Sequence, residues 1–153
     1  MGHFLSDLDR SKRAVSALLA HYKEMGTAIR ELEGKEEQKY GDLRIVLQEE
    51  HVNIEVKFDE MAAKTGNLCF EMSNGSKMTG IMSTKADKVY YVVPNEASAT
   101  VYIFDTEKLR EFISIPSNVT IKNGGDRRKF VLALAKITSV IEADLPEEVF
   151  DLA

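Results

Sequence analysis

Two carboxylates and an amine fall close together in one stretch of the chain. Asp42 precedes Glu55 by thirteen positions, and Lys57 follows Glu55 by two. Hard divalent cations such as magnesium take oxygen ligands, typically one or two carboxylates with water and a substrate phosphate. Bound beside a phosphodiester, such a cation stabilises the charge that develops on phosphoryl oxygens. A neighbouring amine orients or deprotonates the attacking water and neutralises charge. Asp42 and Glu55 suit the ligand role, and Lys57 suits the role of the amine.

These residues need elements that bring them together. Leu43, Ile45 and Leu47 alternate with Arg44, Val46 and Gln48; beyond Glu49-Glu50, Val52, Ile54 and Val56 alternate with His51, Asn53, Glu55 and Lys57. Two period-two runs around a short polar connection read as a β-hairpin. Centring the turn between Glu49 and Glu50 sets Leu43 against Val56, Ile45 against Ile54 and Leu47 against Val52, so the apolar faces match. The same register sets Asp42 opposite Lys57 and Arg44 opposite Glu55 on the other face. Alternation alone more often means a solvated face with cross-strand ion pairs. The residue order points further.

Gly41-Asp42 followed by Glu55-Val56-Lys57 in a hairpin resembles the D-Xn-E-X-K signature of the PD-(D/E)XK nucleases. The segments IEVKFDEMAAKTGNLCFEM, MTGIMSTKADKVYYVVP and VYIFDTEKLREFI extend the likeness over about 41–113, nearly half the chain. They look like small single-domain members of that superfamily, often encoded by phages and mobile elements. The resemblance implies a core of one helix, three strands, a helix and a further strand. It implies magnesium, with manganese as a substitute, held by Asp42, Glu55 and the Val56 carbonyl, with Lys57 as the active-site amine. Cleavage of DNA, double-stranded or branched, to leave a 5′-phosphate is implied as well. Many such nucleases carry a further glutamate on the first helix, and 5–22 contains none, which leaves Glu24, Glu31 or Gln38 as residues to reach the site.

The remaining elements read more coarsely. A first helix is expected over 5–25, with Gly26 as its stop, then a short strand or crossing and a polar loop over 27–40. A third strand covers Asn67–Met72 and ends at the Asn74-Gly75 turn. A short helix over 83–88, two strands at Lys88–Val93 and Thr100–Phe104, and a helix from Thr106 that ends before Pro116 follow. A last helix is expected over about 127–141, with an acidic tail. The class is α+β or α/β, one mixed sheet flanked by helices in a single nuclease-like domain over 1–153. Candidate substrate contacts are Lys64, Thr65 and Asn67 after the Glu-Val-Lys strand, and Arg127, Arg128 and Lys129 in the compact basic cluster. For Lys64, Thr65 and Asn67 a plain connection is as good a reading; for the cluster a solvated helix start is the default.

Composition narrows the class. Apolar residues are 44% and charged residues 29% of 153, with one cysteine and three scattered histidines. That excludes a disulfide framework and any zinc spacing. No apolar run approaches the roughly 20 residues of a membrane span, and the first residues lack a signal-peptide pattern, so the expected compartment is the cytoplasm. A net charge of −5 excludes coating of nucleic acid by bulk charge but is compatible with a locally basic binding surface. A metal-dependent DNA endonuclease is the leading expectation, structure-selective like a junction resolvase or site-specific like a homing or restriction enzyme. A homodimer is expected, because one such site cuts one strand. The rival class is a nuclease-fold module that binds DNA or protein with weakened catalysis.

Overall fold

The computed structural model describes residues 7–124 and 129–152. Helix α1 (Asp7–Glu24) agrees with the expected first helix and ends where Gly26 turns left-handed. Its stripe of Ala14, Val15, Leu18 and Tyr22 is buried, the spacing that seals one helical face against a sheet. Strand β1 (Ile29–Glu31) follows, then helix α2 (Gly34–Tyr40). The sequence reading has a loop in place of α2. None of its residues is buried, so no apolar stripe marks it.

The hairpin forms from β2 (Leu43–Leu47) and β3 (Glu50–Phe58). Its register differs from the expected one by two residues. Leu43 pairs with Ile54, Arg44 with Asn53 and Ile45 with Val52. The cause is the turn, in which Gln48 and Glu49 both take positive φ, +51° and +67°. Two left-handed residues make the two-residue turn whose twist suits a hairpin, and its centre lies one residue before the expected one, which shifts the pairing by two. A shift of two preserves every side chain's face, so Glu55 and Lys57 still share one.

After β3, helix α3 (Ala62–Thr65) leads into β4 (Asn67–Asn74). Beyond the Asn74-Gly75 turn come β5 (Lys77–Met78) and a 3-10 turn at Gly80–Met82. Strands β6 (Lys88–Pro94) and β7 (Ala99–Asp105) precede helix α4 (Thr106–Ile113), capped by the Asp105 carboxylate. Then β8 (Thr120–Gly124), β9 (Phe130–Lys136), helix α5 (Ile137–Glu142) and β10 (Glu148–Leu152) complete the described chain.

Two expected helices differ. Residues 83–88 continue irregularly from the 3-10 turn into β6. There Arg110 binds the carbonyls of Ile81, at 2.7 Å, and Thr84, bonds that take the place of a helical ladder. The helix expected over 127–141 is instead β9 followed by α5. Phe-Val-Leu-Ala-Leu-Ala is rich in helix formers, but it lies between β4 and β8 and buries only Ala133 and Ala135 of its alternating residues. Packing between partner strands outweighs intrinsic propensity here.

Among the described residues the strands form two sheets. The larger runs β1-β2-β3-β6-β7-β10, and β3-β6 is its parallel pair; the smaller runs β5-β4-β9-β8. A parallel pair requires a crossover, and α3, β4 and β5 supply it. The mixed sheet flanked by helices is therefore present. The third strand of the sequence reading, β4, belongs to the second sheet. One face of the large sheet packs on α1 through Leu43, Ile45, Ile54, Tyr90 and Val92. The other meets the small sheet, α4 and α5 through Phe70, Tyr91, Phe104 and Ala133. Glu55 and Lys57 alternate with Ile54 and so look away from α1, towards the small sheet.

Candidate active site

The site begins where β2 begins. The Asp42 N–H donates to the Ile54 carbonyl at 2.8 Å, and the Asp42 carboxylate accepts from the Val56 N–H at 2.7 Å. Asp42 is thus fixed alongside Glu55 and Val56, and the expected pairing with Lys57 is not made. Gly41 makes this approach possible. It is buried with φ +106°, and a Cβ there would lie 2.7 Å from the Ile54 carbonyl oxygen and 3.0 Å from Glu55 Oε2. Gly41→Ala is expected to cost about 1–3 kcal/mol, from backbone strain plus contact with the carboxylate. Chemical denaturation of both proteins measures it; an unchanged midpoint would contradict the tight packing.

Both carboxyl groups are held above their ordinary range. Burial pushes Glu55 up to about 7, and the negative charges of Asp42 and then Glu37 add to it. Asp42 is raised by burial, opposed by its bond from Val56, and pushed further by Glu37 and Glu31. Desolvation and like charge both favour the protonated acid, so the corner favours arrival of positive charge. The cation expected opposite Glu55 is engaged elsewhere: Arg44 donates to Asn53 Oδ1 at 2.7 Å and pairs with Glu36 at 3.1 Å.

Lys57 is exposed, one strand position pair beyond Glu55. It lines two clefts. One, of about 220 Å³, is bounded by Glu55, Lys57, Cys69, Glu71, Gly80 and Thr84. The other, more polar, is bounded by Arg10, Lys57, Asp59 and Glu60. Gly80, with φ +55°, lies so close to the Glu71 backbone that no Cβ fits. This contact closes the first cleft against β4. Burial raises the Cys69 thiol, and the charge of Lys57 opposes that rise.

Other polar residues, the expected substrate contacts among them, are placed as follows. Asp59 accepts a hydrogen bond from the buried Tyr91 hydroxyl, which itself accepts from the Cys69 N–H at 2.8 Å; Asp59 is thereby tied into the core. Asp87 accepts from the Asn53 N–H and donates its own N–H to the Asn53 carbonyl, both at 2.8 Å, so it clamps β3 to β6. The Thr65 hydroxyl accepts from the Asn67 N–H at 3.1 Å where α3 passes into β4, and Lys64 is exposed on α3. The Lys129 carbonyl accepts from Gly75. Arg127 and Arg128 lie outside the described residues. Lys64, Thr65, Asn67 and Lys129 do not line either cleft beside Lys57.

Of the three side chains named for the missing glutamate, only Glu31 is felt at the site, through Asp42. The residue the sequence reading missed is Glu37, on α2, whose charge reaches both carboxylates. Its signal was the acidic first turn of Glu36-Glu37 before Lys39, a charge order that supports a helix. Among the described residues no three His, Cys, Asp or Glu side chains converge closely enough to hold a metal by themselves. The donor set is two carboxylates and strand carbonyls, which suits a cation that keeps several waters.

No protein-family profile matches the chain, and no curated protein matches it in sequence. Among solved structures it is similar to a bacterial homing endonuclease, I-Ssp6803I. The TM-score is 0.51 and the identity 16%, over 67% of this chain and 71% of that one. At that identity the likeness establishes a shared fold. Among the described residues no helix is long and apolar enough to cross a membrane.

Proposed function

We propose that the chain is a divalent-metal-dependent DNA endonuclease whose site is Asp42, Glu55, the Val56 carbonyl and Lys57. The observation that carries this reading is the carboxylate pair: two acids share a desolvated corner, raised in pKa, with an exposed amine two residues along the same strand face. The Val56 carbonyl shares a strand edge with the N–H that binds Asp42, so it joins the two carboxylates as a third oxygen donor. Magnesium, or manganese in its place, supplies Lewis-acid neutralisation of phosphate charge when bound.

The chain's own residues do the rest. Asp42 and Glu55, in their ionised forms, bind the cation and so set where the scissile phosphate docks. Lys57, at the mouth of both clefts, orients the attacking water, accepts its proton or neutralises the phosphorane-like charge. The 3′-oxygen leaves, and the 5′-phosphate remains on the product. Lys64, Thr65, Asn67 and Lys129, outside both clefts, are proposed phosphate contacts away from the point of cleavage, and Arg127 and Arg128 are proposed phosphate contacts as well. Two copies, each cutting one strand, would make a double-strand break.

The homing-endonuclease fold favours a site-specific enzyme over a junction resolvase within this reading. Incubation of the purified protein with linear, branched and single-stranded DNA, in magnesium or manganese and in chelator, tests it. Cleavage of duplex DNA that stops with chelator is the expected result. Binding with no cleavage in either metal would favour the catalytically weakened module instead.

A further inference from the structure

The small sheet has one face in the core, and on its other face the described residues are half-buried or exposed. On β4 and β9, Leu68, Phe70, Ala133 and Ala135 are buried, so the alternate residues point the other way. The register aligns them in rows across the strands: Asn67 with Lys136, Cys69 with Leu134 and Thr120, Glu71 with Leu132 and Lys122. Leu132 and Leu134 are half-buried in the middle of this face, and Lys122 and Lys136 are exposed at its rim. Two strand intervals separate Glu71 from Lys122, about 10 Å.

This face runs directly into the candidate active site. Cys69 and Glu71 belong both to its rows and to the wall of the cleft that holds Glu55 and Lys57. Lys57, from the large sheet, and Lys122, from β8, both act on the half-buried Cys69 thiol, against the opposing charges of Asp59 and Glu71. Lys122 and Lys136 thus flank the leucines of this face, and Lys57 stands across the cleft that joins the face to Glu55. The chain as a whole is acidic, with a net charge of −5, so a polyanion needs a local group of amines of this kind to dock.

We propose that the outer face of the small sheet is the seat for the DNA duplex, with Lys122 and Lys136 on phosphates flanking the scissile one. This inference rests on the nuclease reading and adds the path of the substrate. Phosphate contacts fix register and orientation on the duplex, and Leu132 and Leu134 offer the apolar surface on which sugars or thymine methyls rest. A peptide partner or a second copy of the chain would also cover the leucines, but neither needs the flanking amines.

The test is the salt dependence of DNA binding, measured on a labelled duplex in calcium to hold back cleavage. Lys122→Ala with Lys136→Ala should reduce the slope of log affinity against log salt by about two, one per phosphate contact. Lys23→Ala, on α1 at the opposite side of the large sheet, should leave it unchanged. Leu132→Lys should steepen the slope by about one, and Leu132→Glu should weaken binding. Thermal unfolding of each variant identifies those that still fold. A wild-type slope in the folded double-lysine variant, or equal loss from Lys23→Ala, would overturn the surface assignment while leaving the nuclease reading intact. Wild-type protein that binds no duplex would overturn that reading itself.

Discussion

Glu55→Gln is expected to raise the melting temperature of the metal-free protein at pH 8 and to leave it nearly unchanged at pH 4. The Glu55 carboxyl is pushed by burial and by Asp42 up to about 7 in the fold, above its ordinary value in the unfolded chain. Between those values the native state holds a proton that the unfolded state has lost. Stability therefore falls as pH rises through that window and is flat above it. The difference, about 2.5 pKa units, corresponds to about 3 kcal/mol, or roughly 6–12 °C for a chain of this size. Glutamine resembles the protonated acid and should remove most of the pH dependence. Asp42 is raised in the same direction, so Asp42→Asn should act with the same sign, and asparagine retains an oxygen to accept from Val56.

Magnesium should reverse the pattern in wild type. A cation that binds the folded state stabilises it by mass action, and protons compete for the same oxygens. Its effect should be large at pH 8, small at pH 5 and mostly absent in either variant. Thermal unfolding at three pH values, with chelator and with several millimolar magnesium, measures all of this. A Glu55→Gln protein less stable than wild type at pH 8 would show that the carboxylate is satisfied by something other than a cation.

The second large effect is on rate. Lys57→Ala should lower magnesium-dependent cleavage by about 10²-fold or more, the scale for loss of one electrostatic or proton-transfer group. Asp42→Asn should bring it to background, because it removes a ligand charge with little change in volume. Neither should weaken DNA binding by more than a few-fold, since phosphate contacts elsewhere carry affinity. Single-turnover rates on a labelled duplex separate binding from chemistry. Loss of binding in step with loss of rate would make Asp42 and Lys57 structural.

The hairpin and its acid-acid-amine face were legible because alternation fixes which side of a strand each residue takes, and a register error of two leaves that side intact. The register itself was not legible, because Gln48-Glu49 adopts a left-handed turn without the glycine or asparagine that normally marks one. Glu37 was missed because α2 buries nothing and so carries no apolar period. Strand β9 was misread because its alanines and leucines favour a helix in isolation, and only β4 and β8 on either side make it a strand. The 83–88 segment reads as a short helix, whereas its conformation is set by Arg110 from a helix more than twenty residues later. The last two misses are long-range partners overriding a local pattern; the first two are local conformations that lack their usual mark in the sequence.

The central claim, that the Asp42-Glu55 pair with Lys57 is a metal-dependent phosphodiester-cleaving site, is tested most directly by one side-by-side assay. Wild type and Glu55→Gln are incubated at pH 8 with the same labelled DNA, in magnesium and in chelator, and the 5′ ends of the products are read. Wild type should cut only with magnesium and leave 5′-phosphates, and the folded Glu55→Gln protein should bind the DNA without cutting it. Cleavage by Glu55→Gln at the wild-type rate would contradict the claim.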